Sequence, residues 1–203
     1  MIDVGSTKQN VIAAAEKTFG ALPPNFVPSH PIAGKERAGV TEADVDLYKG
    51  KRAILTPTTA TNPDAVKLAA KVWQAIGMTV TMMDAQEHDR IFAAVSHAPH
   101  LLAFAYMNGL CEQSDAAKLL HMGGTGFKDF SRIAASDPEV WTDILMTNRA
   151  EVLKQSAAMR ASLQLLEDAM SAEKSIPLKE LITKASLARS GWSMNQTIAF
   201  EDV

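Results

Sequence analysis

A single change of hydrophobic period near Asp84 constrains what this chain can fold into more than any other feature of its 203 residues. Before it, short β-rich runs at Met1 to Val4, Phe26 to Ser29, Arg52 to Thr56 and Thr79 to Met83 are bounded by Gly and Pro, the punctuation of strands. Helical patterns separate them. Ser6 with Gln9 fits a capping box that opens a helix reaching Phe19, and Asn62, Pro63 and Gly77 supply the cap, first position and stop of a helix over 64 to 76. Strands alternating with helices predict an α/β sheet with neighbouring parallel strands. After Asp84 the strand signal disappears. Asp137-Pro138 starts one helix, Pro177 opens another, and Val152, Met159, Leu163, Leu166 and Met170 recur with the spacing of a coiled-coil seam. The pattern therefore predicts two parts, an α/β segment over residues 1 to 84 and an all-helical segment over 85 to 203. Such a seam is buried either within the chain or across a homodimer, and the Ala, Leu and Met content of this half favours the homodimer.

Composition narrows the function classes. The chain is 47% hydrophobic with a net charge of -3, so it can bury a core and carries no basic footprint for nucleic acid or an anionic membrane. A small-molecule partner is expected. Cys111 is the sole cysteine, which rules out an internal disulfide framework and a thiolate metal site, and no apolar run approaches membrane-spanning length. These features predict a soluble, cytoplasmic protein.

Four segments carry candidate chemistry. His30 follows a predicted strand and precedes Pro31 and a loop containing Gly34, an address where open α/β sheets bind ligands. An imidazole there can act as a general base, or it can be satisfied by a carbonyl in a turn. Ser6, at the end of the first predicted strand, caps the following helix or shares a crevice with His30. Ser96 and His100 are four apart, so a helix would place both on one side, with a kink from Pro99. A metal site from His88, His97 and His100 has no H-E-x-x-H spacing or thiolate behind it, and none is expected. Lys128 and Arg132 follow the Gly123-Gly124-Thr125-Gly126 stretch, also four apart. Two cations at that spacing repel slightly unless an anion lies between them, and Arg offers a planar fork for a carboxylate. The plainer reading is a solvated face with Asp129 and Asp137 as counter-ions. Glu36, in the loop after His30, is by default a surface charge.

In order, Asp3-Val4-Gly5-Ser6-Thr7-Lys8, His30-Pro31-Ile32-Ala33-Gly34 with Glu36, Ser96-His97-Ala98-Pro99-His100 and Gly126-Phe127-Lys128-Asp129-Phe130-Ser131-Arg132 resemble the motifs of the prephenate dehydrogenase family. Asp84 to Asp89 resembles that family's passage from nucleotide domain to helical domain. The resemblance implies the C-terminal half of a Rossmann-like nucleotide-binding domain followed by a helical dimerisation domain. It further implies oxidative decarboxylation of prephenate or arogenate with hydride transfer to NAD or NADP. In these terms His30 takes the proton of the ring hydroxyl and Ser6 orients it. Arg132 holds a substrate carboxylate, Lys128 supports the anionic end, Ser96 and His100 line the pocket, and Glu36 acts at its entrance. Asp3, Gly5, Ser6 and Pro31 would meet the cofactor.

The 203 residues hold no G-x-G-x-x-G turn to receive a pyrophosphate. The expectation is of an N-terminally truncated family member that binds cofactor poorly, whose Met1 to Val4 strand is either disordered or covered along its unpaired edge. The reading from another class is a non-catalytic helical dimer binding an aromatic dicarboxylate.

Overall fold

The computed structural model describes residues 1–34 and 39–193, and its contacts divide the chain into two compact units, residues 1–155 and 156–203. In the first unit β1 (Ser29–Ile32), β2 (Arg52–Leu55) and β3 (Thr79–Met82) form a sheet in the order β1-β2-β3. β2 and β3 are parallel, with Arg52 opposite Thr79, because α2 (Pro63–Ala75) supplies the crossover that parallel strands require. The helix packs on the sheet. Val27, Ala53, Leu55, Val66, Ala69, Trp73 and Met78 make this core. α2 begins as expected, with the Asn62 side chain accepting from the Asp64 amide and Pro63 at the first position, and Gly77 turns the chain with φ of 88°.

β1 departs from the expectation in two ways. It runs antiparallel to β2, with His30 opposite Ile54, since the path between them has no crossover helix among the described residues, only a 3₁₀ turn at Val40–Glu42. It also spans Ser29–Ile32 in place of Phe26 to Ser29, so His30 lies inside the strand. Pro31 is tolerated because β1 is an edge strand, where a missing amide leaves no ladder bond unmade. The predicted first strand is reduced to one parallel bridge, Ile2 with Val27. Met1 to Val4 take a defined path, bridged to Val27 along one edge. The terminal amine donates to the Asn25 carbonyl and the Val27 amide to the Met1 carbonyl, while Met1 and Val4 remain well exposed.

α1 (Gln9–Phe19) follows the turn from Asp3 to Lys8, and its start corrects the predicted capping box. Lys8 holds the cap position and no local side chain caps the helix. The acceptor comes from 80 residues away: Asp89 takes the amides of Lys8 and Gln9 at 2.8 and 3.0 Å. Inside the turn, Asp3 accepts from the Ser29 and Gly5 amides and from the Lys8 ammonium, which also donates to the Ser29 carbonyl at 2.6 Å. Lys8 is fully buried.

The helical part starts with a nearly unbroken run: α3 (Ala85–Phe92), a π-helical segment (Ala93–His97) and α4 (Ala98–Cys111). Asp84 caps α3 through the amides of Gln86 and Glu87. The expected disturbance at Pro99 takes the form of the π segment, in which the Ala98 amide reaches back to Ala93. α5 (Ala116–His121), α6 (Thr125–Ser131), a 3₁₀ turn (Arg132–Ala135) and α7 (Pro138–Thr147) follow, and Asp137 caps α7 as predicted. α8 (Arg149–Ser171) is a single long helix. In the second unit its C-terminal part and α9 (Ser175–Gly191) leave Leu163, Met170, Ile176, Ile182 and Leu187 more than half exposed. Among the described residues, no helix is long and apolar enough to cross a membrane.

Among the described residues, the buried Lys8 ammonium is the one side-chain cation at Asp3. Replacing Lys8 by Met keeps the aliphatic stem but leaves that carboxylate with amide donors alone. The expected loss is about 3 kcal/mol in urea unfolding, the scale for removing one partner of a buried pair.

Candidate active site

The site is organised around three groups in a line. His30, on β1, places Nδ1 2.8 Å from Nε2 of His88, and His88 places its own Nδ1 2.8 Å from Asp89 Oδ1. His88 and Asp89 are neighbours at the centre of α3, where Asp84 fixes the helix start. His30 also packs on Phe92, with ring centroids 4.9 Å apart. A sheet edge and a helix thus hold one imidazole from two sides.

Asp89 is 2% exposed. Burial alone would raise its carboxyl, but hydrogen bonds from His88, Gln9 and Lys8 outweigh that and hold it below the usual carboxylate range. The amino end of α1 adds its own positive field. Burial does the opposite for His30 and His97, disfavouring their charged forms. Desolvation, with His88, Lys8 and His97 adding repulsion, pushes His30 down to about 3, and burial pushes His97 down to about 4. His30 is therefore a neutral ring at physiological pH.

One turn further along, the Asn148 amide bridges two of these elements, donating to the Asp89 carbonyl at 2.8 Å and lying 3.1 Å from His97 Nδ1. His100 donates from Nδ1 to the Ser96 carbonyl at 2.9 Å and stacks on Trp141 with centroids 3.5 Å apart. Ser96 and His100 are thereby joined, though through the serine backbone and not its hydroxyl. Burial lowers His100 as well. Phe104 meets Trp141 at 6.2 Å, so His97, His100, Phe104 and Trp141 form an aromatic wall.

Ser6 sits partly exposed in the turn before α1, and its hydroxyl has no hydrogen-bond partner among the described residues; the ring in contact with His30 Nδ1 is His88. Gly5 lies beside it. Asp3 is engaged by Ser29, Gly5 and Lys8, and Pro31 is buried in β1. Lys128 and Arg132 line a separate shallow groove of about 690 Å³ with Met107, Phe127 and the Gly123-Gly124 turn. None of the histidine cluster lines that groove. Phe92 and Met107 are fifteen residues apart on the helical run, roughly 20 Å along its axis. Glu36 lies outside the described residues.

Sequence reasoning missed His88 as a partner of His30, and it missed Asp89, Phe92, Asn148 and Trp141. A signal for the first three existed: His88 and Phe92 are four apart behind the Asp84 cap, and an acidic residue on such an apolar stripe is buried only with partners. Asn148 and Trp141 carried none.

The comparisons with known proteins identify the family. Residues 1–82 match the family described as prephenate dehydrogenase, nucleotide-binding domain, and residues 84–184 match prephenate dehydrogenase, dimerization domain. These two matches define an α/β nucleotide-binding segment joined to a helical dimerisation domain. The chain belongs to the prephenate dehydrogenase family. It is 32% identical over 191 residues to a cyclohexadienyl dehydrogenase of Zymomonas mobilis, covering 92% of this chain and 64% of that protein. It is 34% identical over 152 residues to a prephenate dehydrogenase of Bacillus subtilis, covering 74% of this chain and 41% of that one. The structure of prephenate dehydrogenase from Aquifex aeolicus in complex with hydroxyphenyl propionate and NAD+ superposes with a TM-score of 0.85 at 37% identity, over 93% of this chain and 65% of that one. The chain thus spans less than two thirds of the length of these relatives.

The lowered histidines fix a pH dependence. The folded chain keeps His30 and His97 neutral down to about 3 and 4, whereas unfolded histidine takes its proton near 6.5. Across that interval the unfolded state binds more protons, so stability is complete above pH 6.5 and falls as the pH drops. Urea midpoints measured from pH 7 to pH 5 are expected to decline, and His97→Gln is expected to make the decline shallower.

Proposed function

We propose that this chain carries the catalytic histidine and the substrate surface of a prephenate or arogenate dehydrogenase. The observation that supports it most is His30, a neutral imidazole on a sheet edge, gripped by His88 and Phe92 and lying within the residues that match the family's nucleotide-binding domain. Oxidising a ring alcohol requires a base at the hydroxyl, and a positioned one contributes roughly 10²- to 10⁴-fold. His30 takes the hydroxyl proton as hydride leaves the same carbon. The carbonyl so formed is conjugated through the two ring double bonds to the opposite ring carbon, so it draws in the electrons of that carbon's bond to the carboxylate, carbon dioxide departs, and the aromatic ring appears as a phenolate. The imidazolium returns its proton to that oxygen. No net proton is consumed.

A nicotinamide cofactor, NAD or NADP, supplies the hydride acceptor when bound. Gly5 and the partly exposed hydroxyl of Ser6, unpartnered among the described residues, fit its approach on the His30 side of the chain, with Asp3 and Pro31 shaping the turn and strand behind them. Arg132 and Lys128 offer a forked guanidinium beside an ammonium, the chemistry that matches the substrate's carboxylates, and because their groove lies apart from His30 within one chain they serve, in this reading, the His30 of the second copy. Ser96 and His100 belong to the pocket wall with Trp141, and Glu36 acts at its entrance.

The reading includes a cytoplasmic homodimer. The apolar side chains left exposed on α8 and α9 in the second unit, Leu163, Met170, Ile176 and Leu187 among them, are the residues a second copy would cover. A sedimentation profile that stays monomeric at micromolar protein overturns this part.

The substrate reading is tested on the chain itself. Hydroxyphenyl propionate is expected to raise its melting temperature in a saturable way, and Arg132→Ala to weaken that binding at least tenfold. With prephenate or arogenate and added NAD or NADP, any reduction of cofactor is expected to fall about 10²-fold or more in His30→Asn. Stabilisation without cofactor reduction would point instead to a metabolite-binding dimer; no stabilisation by any of these ligands removes the proposal.

A further inference from the structure

The cluster behind His30 determines more than its position. Asp89 accepts at Oδ1 from the Lys8 amide and at Oδ2 from the amide and side chain of Gln9. Its charge is already matched by the amino end of α1, and the Lys8 ammonium is buried in the turn alongside. An anionic carboxylate only accepts, so the hydrogen on the 2.8 Å contact with His88 belongs to His88 Nδ1. A neutral imidazole carries one N–H. His88 Nε2 is then a bare acceptor, and the 2.8 Å contact beyond it requires its hydrogen from His30 Nδ1. The same rule applied once more leaves His30 Nε2 without a proton.

We infer that His88 and Asp89 are positioning residues that lock His30 in the Nδ1–H tautomer, so that its Nε2 is offered unprotonated to the substrate hydroxyl. The inference rests on the reading of His30 as the base. It deepens that reading by identifying the accepting atom and the groups that choose it. Without the carboxylate at the far end, the two rings could exchange hydrogens in either sense, and half of the molecules would present a donor to a hydroxyl that has to lose its proton. When the hydroxyl proton reaches Nε2, the O–H pair stays on oxygen and His30 becomes an imidazolium. Its Nδ1–H then points along His88 towards the Asp89 charge, which stabilises the cation as the orienting carboxylate of a Ser-His-Asp triad does. His30 is surrounded by His88 and Phe92 from α3, with Asp89, Lys8 and His97 beyond. The alternative arrangement is an imidazolium at His88, which would donate from Nε2 and reverse the order. Burial of a further cation beside Lys8, against an aspartate that already has its compensating donors, disfavours it.

The measurement is long-range ¹H–¹⁵N correlation of the ¹⁵N-histidine-labelled chain at neutral pH, with His30→Gln used to assign the ring. A protonated Nδ1 and a pyridine-type Nε2 on His30 are expected in the unmodified protein. A protonated Nε2 on His30 overturns the inference outright, with no variant needed. In His88→Phe, which keeps a ring against Phe92 and leaves the α1 cap in place, the bare-Nε2 form is expected to fall from nearly all to a minor share. A variant that folds and keeps the original tautomer overturns the role given to His88. If cofactor reduction is observed, His88→Phe is expected to lower kcat on the order of 10²-fold with KM nearly unchanged; a change confined to KM counts against the inference. The two readings separate cleanly. The expected tautomer in a chain that ignores prephenate, arogenate and hydroxyphenyl propionate upholds the hydrogen-bond order and removes the catalytic proposal alone.

Discussion

The Asp89 carboxylate is the interaction on which the first unit depends. It closes the amino end of α1, receives His88, and through its backbone carbonyl holds Asn148. An isolated carboxylate at 2% exposure would be driven to its neutral form. Here four donors and a helix end make the anion the stable species, and the sheet-side turn becomes tied to α3 by charge as well as by packing. The histidines then acquire their arrangement from it: His88 by direct contact, His30 through His88, and His97 through Asn148.

The turn from Asp3 to Lys8 works by the same logic on a smaller scale. A carboxylate that accepts amides from Ser29 and Gly5 together with a fully buried ammonium fixes the path between the Ile2 bridge and α1. The half-buried Asp3 and the buried Asp89 hold the two ends of one short segment. That leaves Val4, Gly5 and Ser6 between them as its accessible part.

Local rules made much of this fold legible. The caps at Asn62, Asp84 and Asp137 and the stop at Gly77 sit at element ends where short-range hydrogen bonding decides, and the change of period at Asp84 coincides with the passage from sheet to helices. What could not be read depends on partners distant in sequence. Ser6 and Gln9 satisfy the pattern of a capping box, yet a carboxylate 80 residues on displaces the local cap, and nothing within a short window carries that information. The antiparallel β1 was hidden because Phe26 to Ser29 has the composition of a strand while the pairing belongs to Ser29–Ile32, where Pro31 argues locally against it. Within the site, His30 was legible as a candidate. For His88 the spacing to Phe92 signalled a packed face, but not that this face meets the strand carrying His30, since that pairing joins segments 58 residues apart.

The π-helical segment has a further meaning for how this architecture tolerates change. One additional residue per turn advances the helix by about 100°, so the buried stripe that begins with His88 and Phe92 continues at His97, where a regular helix would have brought Ser96. The segment acts as a phase shift between two halves of one rod. Loss of a single residue from Ala93 to His97 would rotate everything downstream, carrying His97 away from Asn148 and His100 away from Trp141 at one stroke. Substitutions inside the segment are therefore a matter of local packing, whereas its length sets the angular alignment of the aromatic wall with the imidazole on the strand.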